Sequence, residues 1–218
     1  KEYRRQRQMC IRDSICLVIS YPLAYILSKG KHRGSGIVIM LFILPMWINF
    51  LLRVLALQVI LSKTGILNAI LGFFGLPLQK LMYTKGVVLV GMVYDYIPFM
   101  ILPIYNALCK IDKDVIEAAH DLGASARVTF QKIIIPLSLP GVISGIIMVF
   151  VPALTSFVIS DLLGGGKVLL IGNVIEQSFM QGSYWNLGSG LSIVLMLFVL
   201  ISMAFMNRAG ESGGHAVW

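Results

Sequence analysis

Glu117-Ala-Ala-His-Asp-Leu-Gly123-Ala-Ser-Ala-Arg-Val-Thr-Phe-Gln-Lys-Ile133-Ile-Ile135-Pro136 is the longest polar interval with helical patterning in an otherwise apolar chain, and apolar runs flank it on both sides. Asp114, three residues before Glu117, has the form of a capping box, so a helix is expected to begin at Val115. Val115, Ala119 and Leu122 then share one face, with Ala118 beside them. Gly123 is placed to end that helix, because glycine takes the left-handed conformation of a C-terminal cap without steric cost. Ser125 is suited to cap a second short helix through Val128 and Phe130, with Pro136 as its limit. The expected product is two short helices joined by a glycine bend. The alanines of the first leave a shallow groove that another protein's surface can approach closely.

Composition decides what surrounds this interval. Apolar residues make up 57% of the 218 and charged residues 13%, too little charge to cover a soluble domain of that length. The expected class is an all-α, polytopic membrane protein in the lipid bilayer. A net charge of +8 would suit nucleic acid, but lysine and arginine are scattered among short loops and form no basic face interleaved with aromatics. Nucleic acid is therefore excluded as a partner, and positive-inside topology accounts for the charge. Cys10, Cys16 and Cys109 have no metal or redox spacing, and His32, His120 and His215 are equally isolated, so no metal site is expected.

Five spans are expected, at about 14–27, 36–52, 86–107, 139–160 and 188–206. The loop 108–138 and a tail at 207–218 are assigned to the cytoplasm. Pro45 and Trp47 lie inside the second span, and Arg53 at its far end is placed to snorkel to the interface. Residues 62–85 form an outer segment whose glycine-bearing stretch 65–75 suits the membrane surface better than a crossing. Residues 161–187 form a second outer loop. The inner loops and tail carry eight lysines and arginines against four in outer segments of similar length, which agrees with this orientation. The basic run 1–13 is expected to be foreign to the rest, and it opposes the charge bias. No signal peptide is recognisable in it.

No chemistry of its own is visible in the chain. Gly164-Gly165-Gly166-Lys167 has the outline of a phosphate-loop end, but Asp161 and Val168 stand where the motif needs glycine and Ser/Thr. No nucleophile-base pair appears, so the chain is expected not to be an enzyme. Inside the spans, Asp95 is the default functional candidate because an unpaired carboxylate is costly in lipid. Tyr94, Tyr96 and Tyr105 near it offer aromatic faces to a cation. A hydrogen-bond partner for backbone opened by Pro98 is the competing structural role of Asp95. Asp161 and Glu176 are outer-loop candidates for steering a cation or meeting a docked protein, with a solvated loop the plainer alternative.

The pattern Glu117-Ala118-Ala119, Gly123, Ile133 and Pro136 resembles the cytoplasmic EAA loop of permease subunits in ATP-binding-cassette importers, with Ile135 where leucine is usual. The resemblance implies that Glu117, Ala118, Ala119, Leu122, Gly123, Ile133 and Pro136 form the contact with a partner ATPase. It also implies a fold of six spans with the first one absent here. ATP and magnesium would belong to ATP-binding ATPase subunits, leaving no cofactor in this chain. Further implied partners are a second homologous permease subunit and an extracytoplasmic solute-binding protein, in a prokaryotic cytoplasmic membrane. Tyr21-Pro22 with Ala24-Tyr25, Leu44-Pro45 through Arg53, Gly91 to Tyr94 with Pro98-Phe99-Met100, and Ser160 through Asn173 to Ile175 resemble the polyamine branch of these permeases, those for spermidine and putrescine. Other solutes of related importers, such as an iron chelate or an organophosphonate, are the alternative. A secondary transporter or a non-transporting scaffold lies outside the class, and the former calls for more intramembrane charge than Asp95 supplies.

Overall fold

The computed structural model describes residues 2–30, 36–75, 77, 82–166, 170–180 and 184–214, and no strand occurs among them. Lys31, His32, Arg33, Lys167 and His215 lie outside the described residues. The helices are α1 (Glu2–Lys29), α2 (Gly36–Ile43), α3 (Phe50–Leu61), α4 (Ile66–Phe73), α5 (Lys85–Lys110), α6 (Lys113–Asp121), α7 (Ala126–Thr129), α8 (Ile135–Thr155), α9 (Val158–Gly164), α10 (Ile171–Met180) and α11 (Trp185–Gly214). An all-helical chain follows from the composition: where no water can satisfy the backbone, a helix pairs its own amides and carbonyls.

Among the described residues, five stretches are long and apolar enough to cross a membrane: Ile11–Lys29, Phe50–Phe73, Lys85–Lys110, Ala126–Ala153 and Trp185–Ala204. Two differ from the expected spans. In place of one helix over 36–52, α2 tightens into a 3-10 turn at Leu44–Trp47 and α3 restarts at Phe50, where the Asn49 side chain accepts from the Leu51 amide at 2.8 Å. Pro45, which has no amide to donate, sits inside that turn. The stretch Phe50–Phe73 is itself two helices, and at the turn between them Gly65 lies so close to the carbonyls of Val59 and Ile60 that a β-carbon would overlap them. The other difference is the fourth span, which begins ahead of Pro136 rather than after it.

The chain forms two compact units. Unit one comprises Lys1–Arg12, Pro45–Tyr96 and Phe150–Phe198, and unit two comprises Asp13–Leu44, Ile97–Val149 and Val199–Trp218. Thus α1, α5, α8 and α11 each contribute to both.

In unit one α3 packs on α9 and α4. Gly91 of α5 lies against Leu163, Ile159 and Leu57, which leaves no room there for a side chain. Tyr83, held at φ 62°, donates its amide to the Leu163 carbonyl at 3.0 Å, and its ring covers the α-carbon of Gly165. That contact and the left-handed φ of Gly165 and Gly166 account for glycine at 165 and 166.

In unit two, Gly141 and Gly145 bring α8 onto α5: a β-carbon at Gly141 would overlap Ala107, and one at Gly145 would come within 2.9 Å of Met100 Sδ. Small residues four apart are the usual device for close helix approach in lipid. Met100, Ile101, Ile104, Tyr105 and Leu108 are buried on this part of α5.

Candidate functional site

The expected pair of short helices is present as α6, a bend, and α7 leading into α8. Its start lies earlier than the sequence reading has it. Asp112, not Asp114, is the N-cap, and its carboxylate accepts from the Asp114 amide at 3.2 Å. Asp114 falls in the first turn, where its charge complements the helix dipole, so the capping box with Glu117 does not form. The C-terminus is the glycine cap expected. Gly123 has φ 79°, its amide donates to His120 O at 2.9 Å, and the Ala124 amide donates to Ala119 O at 3.0 Å. This pair of bonds is a Schellman cap. Ser125 caps α7, its hydroxyl accepting from the Val128 amide at 3.4 Å.

Pro136 does not limit the second helix. Phe130–Ile134 widens into a π turn, and the chain runs on through Pro136 as α8. A π turn shifts the bonding pattern just where the proline ring would meet the carbonyl four residues back and where its amide is missing.

Glu117, Ala118, Gly123 and Pro136 are exposed, Ile133 is partly exposed, and Ala119 is buried. Leu122 is 88% exposed, and Val115 and Val128 are also open. Ala119 instead faces inward, so the single apolar face expected for Val115, Ala119 and Leu122 is divided.

Asp95 lies inside α5 and is buried, and it is not alone. Arg53 of α3 places Nη1 2.9 Å from Asp95 Oδ1, with side-chain exposures of 10% and 3%. Neither that oxygen nor Arg53 Nε makes an aligned hydrogen bond, so the contact is an ion pair without the second bond of a fork. Arg53 therefore points inward instead of snorkelling, and Asp95 has a charged partner rather than the backbone near Pro98. Tyr96 is buried beside it, donating to Pro152 O at 3.4 Å. Arg12 stacks 5.9 Å above the Tyr96 ring and is 1% exposed, its Nη1 3.8 Å from Met92 Sδ. Although it falls in the run 1–13, Arg12 is thus packed into unit one. Tyr94 is 49% exposed and does not join the cluster. Tyr105 is ten residues further along α5, about 15 Å of helical rise away.

Asp161 and Glu176 meet directly, and Asp161 is also held by Asn173, a residue not among the expected candidates. Asn173 is fully buried, donates Nδ2 to Asp161 Oδ1 at 2.6 Å and to Phe157 O at 3.4 Å, and accepts from the Leu170 amide at 3.0 Å. Its place three residues before Glu176 on one face of α10 was the available signal. Partial burial first, then the charge of Asp161 and a shared hydrogen bond with it, raise the Glu176 carboxyl above its ordinary range.

Among the described residues no group of three His, Cys, Asp or Glu side chains could hold a metal ion. The long apolar helices, with the short helix α6 exposed between two of them, make the chain a polytopic membrane protein. It belongs to the family of the binding-protein-dependent transport system inner membrane component, whose pattern matches residues 17–209. Within that family it is 42% identical over 199 residues to the spermidine/putrescine transport system permease protein PotB of Escherichia coli (strain K12), covering 90% of this chain and 72% of that one. PotB of Haemophilus influenzae is 40% identical over 204 residues, covering 92% of this chain and 71% of that one. Among solved structures, a chain of a bacterial alginate ABC transporter in complex with an alginate pentasaccharide-bound periplasmic protein matches with TM-score 0.68 at 16% identity, covering 93% of this chain and 75% of that chain. A chain of the MetNI methionine ABC transporter, in inward-facing conformations, matches at 0.65 and 15%, covering 97% and 93%. At that identity the likeness is one of fold.

Proposed function

We propose that this chain is the permease subunit of an ATP-driven importer that moves polyamines, spermidine and putrescine, across the cytoplasmic membrane of a prokaryote. The observation that carries the reading is α6, a capped helix closed by Gly123 and ending in the exposed Leu122. The relatives at 40–42% identity are spermidine/putrescine transport permeases, which supports the polyamine assignment. ATP and magnesium belong to the partner ATPase subunits, which seat α6. A second homologous permease subunit and an extracytoplasmic solute-binding protein complete the assembly.

ATP-driven closure of the partner displaces the seated helix and shifts the population between inward-open and outward-open forms. Glu117, Ala118, Ala119, Leu122 and Gly123, with Ile133 and Pro136 behind them, make and support that contact. The substrate path passes Asp95, where an ammonium would compete with Arg53 for the carboxylate, and Tyr96 offers an aromatic face. Tyr94 and Tyr105 line other parts of α5.

The test is uptake of radiolabelled spermidine and putrescine into cells lacking their own importer and supplied with this permease and its partners. Saturable uptake is expected, and Gly123→Val should abolish it while leaving the protein inserted, because a β-branched residue at φ 79° costs about 1–2 kcal/mol and opens the bend. Uptake at the wild-type level in Gly123→Val would refute the coupling assignment. A complex that assembles and hydrolyses ATP without polyamine uptake would refute the substrate.

A further inference from the structure

The coupling element is held from behind by a contact that no feature of its motif requires. Phe130, the first residue of the π turn, turns its ring edge-on to two tyrosines of α1: Tyr25 at 5.0 Å and 67°, and Tyr21 at 6.1 Å and 77°. Both are the attractive T-shaped arrangement of aromatic pairs. Tyr21 and Tyr25 are one helical turn apart, so they present a single face. Beyond the π turn, the Tyr21 hydroxyl meets Ser138 Oγ at 2.8 Å, and Ser138 in turn donates to Ile135 O at 2.9 Å. Tyr25 also carries Lys29 Nζ 4.5 Å above its ring. Helix α1 therefore touches the chain at the first residue of the π turn, Phe130, and again past its end, at Ser138.

The contact sits at an irregular place in the chain. A π turn followed by Pro136 lacks the regular bonding of an α-helix, so the α-helical hydrogen-bond pattern is interrupted in the stretch between α7 and α8. The ring contacts of Phe130 bridge that stretch from outside. We propose that Phe130 is a positioning residue that carries displacement of the seated α6 into α1, through Tyr21 and Tyr25, as well as along the chain into α8. This rests on the reading of α6 as the ATPase seat.

The experiment compares ATP hydrolysis and spermidine uptake in proteoliposomes holding the whole reconstituted complex with its solute-binding protein. In Phe130→Ala the complex should assemble and hydrolyse ATP, but spermidine moved per ATP should fall about tenfold, in the range typical of coupling between sites. Phe130→Tyr, which keeps the ring, should restore the ratio, and Tyr25→Leu should lower it. If Phe130→Ala does not assemble, Phe130→Leu keeps the apolar bulk without the ring edge and should show the same fall. An unchanged ratio, or a ratio that Phe130→Tyr does not restore, overturns the proposal. A wild-type complex that binds no ATPase overturns the underlying reading with it, and that outcome is visible before any variant is made.

Discussion

An arginine near the start of α3 and an aspartate inside α5 illustrate how a side chain at membrane depth chooses its partner. Snorkelling lets a long cation reach water, but Arg53 finds a carboxylate at 2.9 Å instead, and each charge spares the other an unpaired burial. Removing one partner strands the second. Arg53→Leu should therefore destabilise by about 3–5 kcal/mol, read as a fall on the order of 10 °C in the melting midpoint in detergent. Arg53→Leu with Asp95→Leu should recover most of that loss. A single variant that melts with the wild type would sink the pair as a stabilising contact. The double variant also separates two roles of Asp95: restored stability with restored uptake leaves it structural, and restored stability without uptake puts it on the substrate path. None of this pairing could be read from the linear sequence, where the two residues belong to different apolar runs and only the fold brings them together.

At the level of elements, what was legible depended on how local its cause is. The bend at Gly123 and the cap at Ser125 were legible because each is set by a few neighbouring residues and the backbone. The helix start was misplaced by one acidic residue because Asp112 and Asp114 are equally good caps in composition, and only the backbone distinguishes them. Pro136 read as a stop because the π turn that accommodates it has no sequence signature of its own. Asp161 and Glu176 were separate candidates; the fold brings them into contact, with the buried Asn173 holding Asp161. Their contact carries a pH dependence. The folded chain holds the Glu176 proton more tightly than an unfolded one, so this contribution to stability is present at acid pH. It is lost as pH rises from the ordinary glutamate value of 4.5 through the raised one. Melting midpoints between pH 4 and pH 8 (about, in buffer steps of roughly one unit) should decline more steeply for wild type than for Glu176→Gln. Parallel curves would show that the two carboxyls do not share a proton.

For the molecule as a whole, the distribution of lysine and arginine sets the orientation to be tested, and the class followed from composition. The break at Leu44–Trp47 and the division of Phe50–Phe73 did not, since apolar length alone cannot distinguish one long helix from two short ones. The orientation is checked by impermeant maleimide on intact cells, with Cys10, Cys16 and Cys109 replaced by serine. Thr64→Cys should label from outside, and His120→Cys only after the membrane is opened; the reverse pattern would invert the topology. The division into two units has a consequence for synthesis. Four helices change unit partway along their length, and α11 supplies the last piece of both. Neither half is complete while the ribosome is still making the chain ahead of α11. A stop codon before Trp185 would thus leave not one finished half but two unfinished ones, and quality control would meet the nascent protein as a single indivisible task.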